Sequence, residues 1–224
     1  MKMNLGKFVL IALLIAVAIT ALVCFKAFWS AGRTLFDLLN ENRKLRQAVA
    51  NLTAESQIGY AKVISQETRD GRVFTRLRFV ETDRDDPRRI VLEKEYEIEG
   101  DVVHFDALIV KFSTQFVSDG RSRALYLWRR VYGEKMKPED GFPIETPGSE
   151  LLRYSAISNA LSRRDRALFW TEIWKLSNDP LRLQDAGITA VYGNDLYQQL
   201  KPGLIYLFRI GNNGQFYLEA APEM

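Results

Sequence analysis

Two apolar periods divide the chain near residue 57. Ahead of it, residues 8–25, FVLIALLIAVAITALVCF, run for 18 residues without a charge. As a helix rising about 1.5 Å per residue the run is ~27 Å long, close to a bilayer's hydrocarbon thickness. Lys26 is placed to snorkel, and Phe28 and Trp29 suit an interface. The pattern predicts a short tail over 1–7 and a transmembrane anchor over 8–29. A cleaved signal peptide is the rival reading, and the long run and the helical pattern continuing beyond it favour retention.

Past the anchor, apolar residues recur in steps of three and four. Leu35, Asn42, Val49 and Ser56 take a positions, and Leu38, Leu45 and Leu52 take d positions. Glu41 at g and Arg46 at e would meet across a parallel pair. This heptad pattern predicts a coiled-coil stalk over 30–57. Leucine at d with a β-branched residue and one asparagine at a favours two parallel strands, with facing amides of Asn42 setting the register. Folding back onto the same chain and pairing with a different protein are the alternatives, since Leu39 at e widens the apolar face.

Beyond Ser56 the period falls to two. In 73–80, VFTRLRFV, the residues Val73, Thr75, Leu77 and Phe79 share a face opposite Arg76 and Arg78. In 90–98, IVLEKEYEI, Glu93, Glu95 and Glu97 form the polar row, which antiparallel pairing would set beside the arginines. With 59–65, 102–112 and 122–132, these segments predict one antiparallel meander over 58–133. Residues 102–112, VVHFDALIVKF, are apolar on both faces and read as a central strand.

Residues 134–149 carry three prolines and, with Gly133, end the regular pattern as a connector. The segment 150–224 predicts helices over 150–161 and 163–177, the second with Phe169, Trp170, Ile173 and Trp174 on its apolar face. A strand over 188–192, a short helix near 194–200 and a hairpin turning at Asn212-Asn213-Gly214 follow. The fold class is therefore α+β: transmembrane helix, coiled-coil stalk, β-meander domain with packed C-terminal helices, and a small hairpin.

Charge removes one class of partner. The net charge of +3 comes from Lys2, Lys7 and Lys26; beyond them basic and acidic residues balance, so nucleic acid is not expected as a partner. The lone cysteine, Cys24, allows no intrachain disulfide. Walker, dinucleotide-binding and paired-cysteine motifs are missing from the sequence, and neither a cofactor nor a metal site is expected.

Three features touch on chemistry. His104 and Asp106 share a strand face, as a carboxylate that orients an imidazole would, but no nucleophile elbow accompanies them. The acidic loop Glu81–Asp86 lacks the glycine and terminal glutamate of a calcium loop and reads as a solvated hairpin loop. Tyr126, Trp128, Arg130 and Tyr132 alternate along one strand, which makes either a partner face or a core face with Arg130 at its edge.

The combined expectation is a bacterial inner-membrane protein with most of its chain on the extracytoplasmic side. It would be a scaffold or adaptor, dimeric through Leu35, Leu38, Glu41, Asn42, Leu45, Arg46, Val49 and Leu52, offering its β domain to other envelope proteins. Alternatives are a lipid- or ligand-binding module using Phe105, Phe112 and Trp128 as an apolar pocket, and an envelope enzyme using His104 and Asp106. The order of anchor, coiled coil and β domain resembles that of bacterial envelope scaffolds such as the rod-shape-determining MreC family. The resemblance runs through Glu41–Arg46 and the strand 59–65 and covers residues 1–66; the Trp-rich segment 150–177 departs from that family's all-β pattern.

Overall fold

The computed structural model describes residues 19–22, 26, 39–155, 170, 171, 173, 174 and 188–223. It divides into two units, Met1–Gln47 and Ala48–Met224. In the first, residues 19–22, 26 and 39–47 are helical and exposed. Most of the expected anchor, residues 8–18, 23–25 and 27–29, lies outside the described residues. Among the described residues no helix is long and apolar enough to cross a membrane. That finding corrects the anchor, and with it the single-pass layout and the inner-membrane localisation.

The stalk is corrected as well. Leu35 and Leu38 lie outside the described residues. Helix α1, residues 39–53, leaves Asn42 exposed, with Leu45 and Val49 65% and 58% exposed, and Leu52 only half-buried. No second helix faces this stripe among the described residues, and no coiled coil is formed through Asn42, Glu41 and Arg46 there. The heptad count also falls short, because the helix stops at Thr53 and Ser56 sits in a strand opposite Ile210. Strand pairing ends the helix: Asn212 N donates to Ala54 O at 2.9 Å, and Glu55 pairs with Gly211. Its last turn is tied down by Asn51, whose Nδ2 donates to Ser118 O at 2.8 Å.

The second unit is built from two antiparallel sheets. Its strands are β1 (Glu55–Arg69), β2 (Arg72–Thr82), β3 (Ile90–Glu99), β4 (Val102–Phe112), β5 (Leu125–Gly133), β6 (Phe142–Pro143), β7 (Ile188–Gln199), β8 (Leu204–Gly211) and β9 (Phe216–Pro222). One sheet has the order β3-β2-β1-β8-β9 and the other β6-β5-β4-β7. A five-residue helix α2 (Thr114–Ser118) and 3-10 turns at Pro138–Asp140 and Leu152–Tyr154 complete the described elements. The α+β expectation is thus replaced by a mainly β fold. The single meander becomes two sheets, residues 194–199 continue β7 instead of forming a helix, and β8 and β9 join the first sheet beside β1.

Local chemistry explains the pairing. Asp70 and Gly71 both have positive φ (50° and 75°) and form the two-residue turn that closes β1 on β2. The arginine and glutamate rows do meet: Arg76 and Arg78 reach Glu95 at 2.7 and 2.9 Å. Such exposed pairs add a few tenths of a kcal/mol to about 1 each. The split into two sheets occurs at Gly100-Asp101. Gly100 (φ 103°) still donates to Val73 O of the first sheet at 2.7 Å, while Asp101 O already accepts from Leu200 N at 2.7 Å. Gly133 passes this corner so closely that a Cβ would lie 2.5 Å from Glu99 O.

The core fills the space between the sheets. Phe79 and Phe208 from one sheet meet Phe105 and Trp128 from the other, all fully buried, with ring centroids 4.8–6.3 Å apart. A second cluster lies on the outer face of the second sheet. There Leu108, Val110, Leu125, Leu127 and Val191 are covered by Leu151, Tyr154, Trp170 and Ile173.

One charged group is sealed inside. Arg153 lies between Glu81 (3.0 Å) and Glu145, stacks 4.5 Å over the Tyr126 ring, and donates to Tyr126 O at 2.9 Å. The Tyr126 hydroxyl donates to Glu81 at 3.0 Å. Burial dominates at Glu81 and pushes its carboxyl from 4.5 up to about 7, against the attraction of Arg153.

Two outcomes follow from this packing. Between about pH 4.5 and about 7 folded Glu81 keeps a proton that the unfolded chain has released, so this group's contribution to stability falls as pH rises through that window. Urea denaturation at pH 5 and 7.5 should show that loss in the native chain and a flatter profile in Glu81→Gln; identical profiles would contradict it. Gly133→Ala should cost about 1–3 kcal/mol by forcing apart the corner where the sheets divide, read from the same denaturation curves.

Candidate functional site

The outer face of the second sheet changes character along its length. At the end covered by Trp170 and Ile173 it is apolar. Toward the other end β4 carries Asp106, buried, and His104, half-buried, on that face.

Here three cross-strand neighbours line up as a rung. His104 of β4 pairs directly with Tyr132 of β5 and Tyr197 of β7. The His104 and Tyr132 rings are 4.6 Å apart and nearly parallel at 8°, and Tyr197 stacks on the imidazole's other side at 5.5 Å. Asp195 of β7 binds the rung together. Its Oδ2 accepts from His104 Nδ1 at 2.7 Å and from the Tyr132 hydroxyl at 3.0 Å. With Nδ1 donating to a carboxylate, the tautomer and ring orientation of the imidazole are set. Burial, then the bond to Asp195, pushes the Tyr132 phenol up to about 12.

The next rung is charged. Asp106 pairs with Arg130 on one side and Asp195 on the other. Arg129 donates to Asp106 Oδ1 from Nε at 3.0 Å and Nη2 at 2.5 Å, and Arg130 Nε lies 3.5 Å from Oδ2. Burial raises the Asp106 carboxyl pKa, opposed by the two arginines. Gly193 makes room for Arg129: a Cβ there would sit 2.6 Å from its Nη2. Arg130 is anchored further by donating to Pro138 O at 2.5 Å. Beside the arginines lies a groove of about 260 Å³ lined by Pro143, Pro147 and Trp174.

The residues singled out in the sequence are redistributed. His104 and Asp106 do share a face, yet each has a different partner, Asp195 for the imidazole and Arg129 for the carboxylate. Tyr126, Trp128, Arg130 and Tyr132 do not form one face. Pairing jumps from Asp106–Arg130 to Ala107–Trp128, leaving Arg129 as the extra residue of a β-bulge. The bulge sends Tyr126 and Trp128 into the core and Arg130 and Tyr132 outward. Phe105 and Trp128 are packed solid between the sheets, so the pocket expected there is filled; Phe112 lines a separate cavity. The acidic loop is a turn in which Asp83 accepts from the Asp85 and Asp86 amides, with Arg89 and Arg123 as counter-ions. Among the described residues, no three His, Cys, Asp or Glu side chains gather as metal ligands.

Sequence reasoning missed Asp195, Tyr197 and Arg129. The alternation Gly193, Asp195, Tyr197 was the available signal for the first two, obscured by reading 194–200 as a helix. The adjacent arginines 129 and 130, interrupting a two-residue period, were the signal for the bulge.

No protein-family model matches the chain, and neither a curated protein nor a solved structure is significantly similar to it. The likeness of its expected layout to the MreC scaffolds therefore has no family match to support it.

Replacing Asp195 by Asn should move the Tyr132 phenol back toward its ordinary value, because a neighbouring carboxylate disfavours the phenolate. Tyrosine-selective NMR titration of Asp195→Asn against the native chain reads this directly. An unmoved Tyr132 resonance would show that the carboxylate does not act on the ring.

Proposed function

We propose that the chain is a protein-binding module, a scaffold or adaptor, and that its partner meets the rung Tyr132–His104–Tyr197 with Arg130 and Asp195 at its border. One observation carries the reading: Tyr197 is 68% exposed although its ring is held in place by stacking on His104. Ordering a side chain on association costs about 0.5–1.5 kcal/mol, and here much of that ordering precedes binding. Tyrosine and arginine are also the residue types that most often anchor protein interfaces. The adjoining proline- and tryptophan-lined groove extends the same surface.

The site has the features of recognition more than of catalysis. Asp195 consumes both the imidazole Nδ1 and the tyrosine hydroxyl, and among the described residues no serine, threonine or cysteine hydrogen-bonds to His104. A nucleophile paired with its base is the geometry that covalent catalysis needs.

The test is quantitative pull-down with a photo-crosslinking amino acid placed at position 199, two residues along β7 on the same face as the exposed ring, in otherwise native and Tyr197→Ala chains. A specific partner should be captured by the first and reduced about tenfold or more in the second, with an unchanged melting temperature. Equal capture by both, or crosslinks to nothing, would refute the proposed face.

A further inference from the structure

A separate cavity opens at one end of the second unit. It measures about 440 Å³, within the range of small-molecule sites. Arg121, Arg123 and Arg153 supply its charge, and Phe112, Leu125 and Tyr154 supply apolar wall.

The charge around it is not balanced. Arg123 is clamped by Asp85 through two bonds of 2.6 and 2.7 Å. Arg153, with a side chain only 7% exposed, is engaged by Glu81 and Glu145, and its Nε has no hydrogen-bond partner among the described residues. Arg121 is exposed on the rim; its backbone N–H donates to Phe116 O at 2.9 Å, but its guanidinium makes no hydrogen bond or ion pair among the described residues. Behind the wall, Arg84 donates to Ala124 O at 2.6 Å and to Asn212 Oδ1 at 2.8 Å, both uncharged, and its buried Nε has no hydrogen-bond partner among the described residues. Among the described residues, two of the four guanidiniums therefore make no hydrogen bond or ion pair to a carboxylate.

We propose that this cavity binds a small organic carboxylate. Its anionic end is received by Arg121 beside Arg123, and its apolar body lies against Phe112, Leu125 and Tyr154. Guanidinium forks match carboxylate oxygens bidentately, and a charge-assisted bond in a recess is roughly twice as strong as a neutral one. Inorganic anions would use the same arginines but leave most of the volume and all the apolar wall unused. Burial and then the nearby charge of Arg123 hold the Arg84 guanidinium below its ordinary pKa, against the attraction of Asp85. The inference is independent of the proposed partner face, whose residues do not line this cavity.

The probe is 4-phenylbutyrate, titrated into the full chain and followed by amide NMR. It should give saturable shifts centred on Gly120, Ser122 and Leu125. The uncharged 4-phenylbutyramide should bind about tenfold more weakly, and Arg121→Gln should weaken phenylbutyrate about fivefold or more, with Arg121→Lys in between. Arg121 is exposed, so an unchanged melting temperature confirms that these variants fold. Equal binding of the amide, equal binding of inorganic phosphate, shifts centred elsewhere, or no saturable shift with phenylbutyrate would each overturn the proposal.

Discussion

The structure depends on β4. Over most of its length this strand buries side chains on both faces, so it cannot sit in a sheet with one side in water. Phe105, Ala107 and Ile109 demand cover from one direction, Leu108 and Val110 from the other. The first sheet meets the first demand, and Leu151, Tyr154, Trp170 and Ile173 meet the second. The sheet change at Gly100-Asp101 lets both be satisfied, because it carries β4 out of the plane of β1–β3 and places it opposite them.

The proposed partner face lies further along the same strand. Toward Val102, the outward positions of β4 change from Leu108 to Asp106 and His104, and neighbouring strands answer in kind with Arg130, Tyr132, Asp195 and Tyr197. Because the polar rung continues an otherwise buried sheet, its side chains inherit a rigid backbone. The β-bulge at Arg129 completes the arrangement by turning Arg130 and Tyr132 to the same face as His104 while leaving Trp128 in the core.

Burial also shapes the electrostatics. Glu81 and Glu145 share Arg153 in a region that water does not reach, and the desolvation of Glu81 outweighs the attraction of its arginine. A few residues away, among the described residues, neither the Arg84 nor the Arg121 guanidinium makes a hydrogen bond or ion pair to a carboxylate.

Much of the β framework was legible in the residues themselves. Alternation marked β2 and β3, their arginine and glutamate rows predicted their pairing, and the two-faced apolar run of 102–112 marked the central strand. These are local signals, carried by neighbours two residues apart. The heptad stripe was an equally local signal and misled, because pairing of Glu55 with Gly211, more than 150 residues away, ends the helix at Thr53, within the third heptad. Which sheet each strand joins, the bulge at Arg129 and the gathering of His104, Tyr132, Asp195 and Tyr197 were decided only in three dimensions. They rest on contacts between residues far apart in the chain, and a one-dimensional pattern records which face a residue prefers without saying what will lie against it.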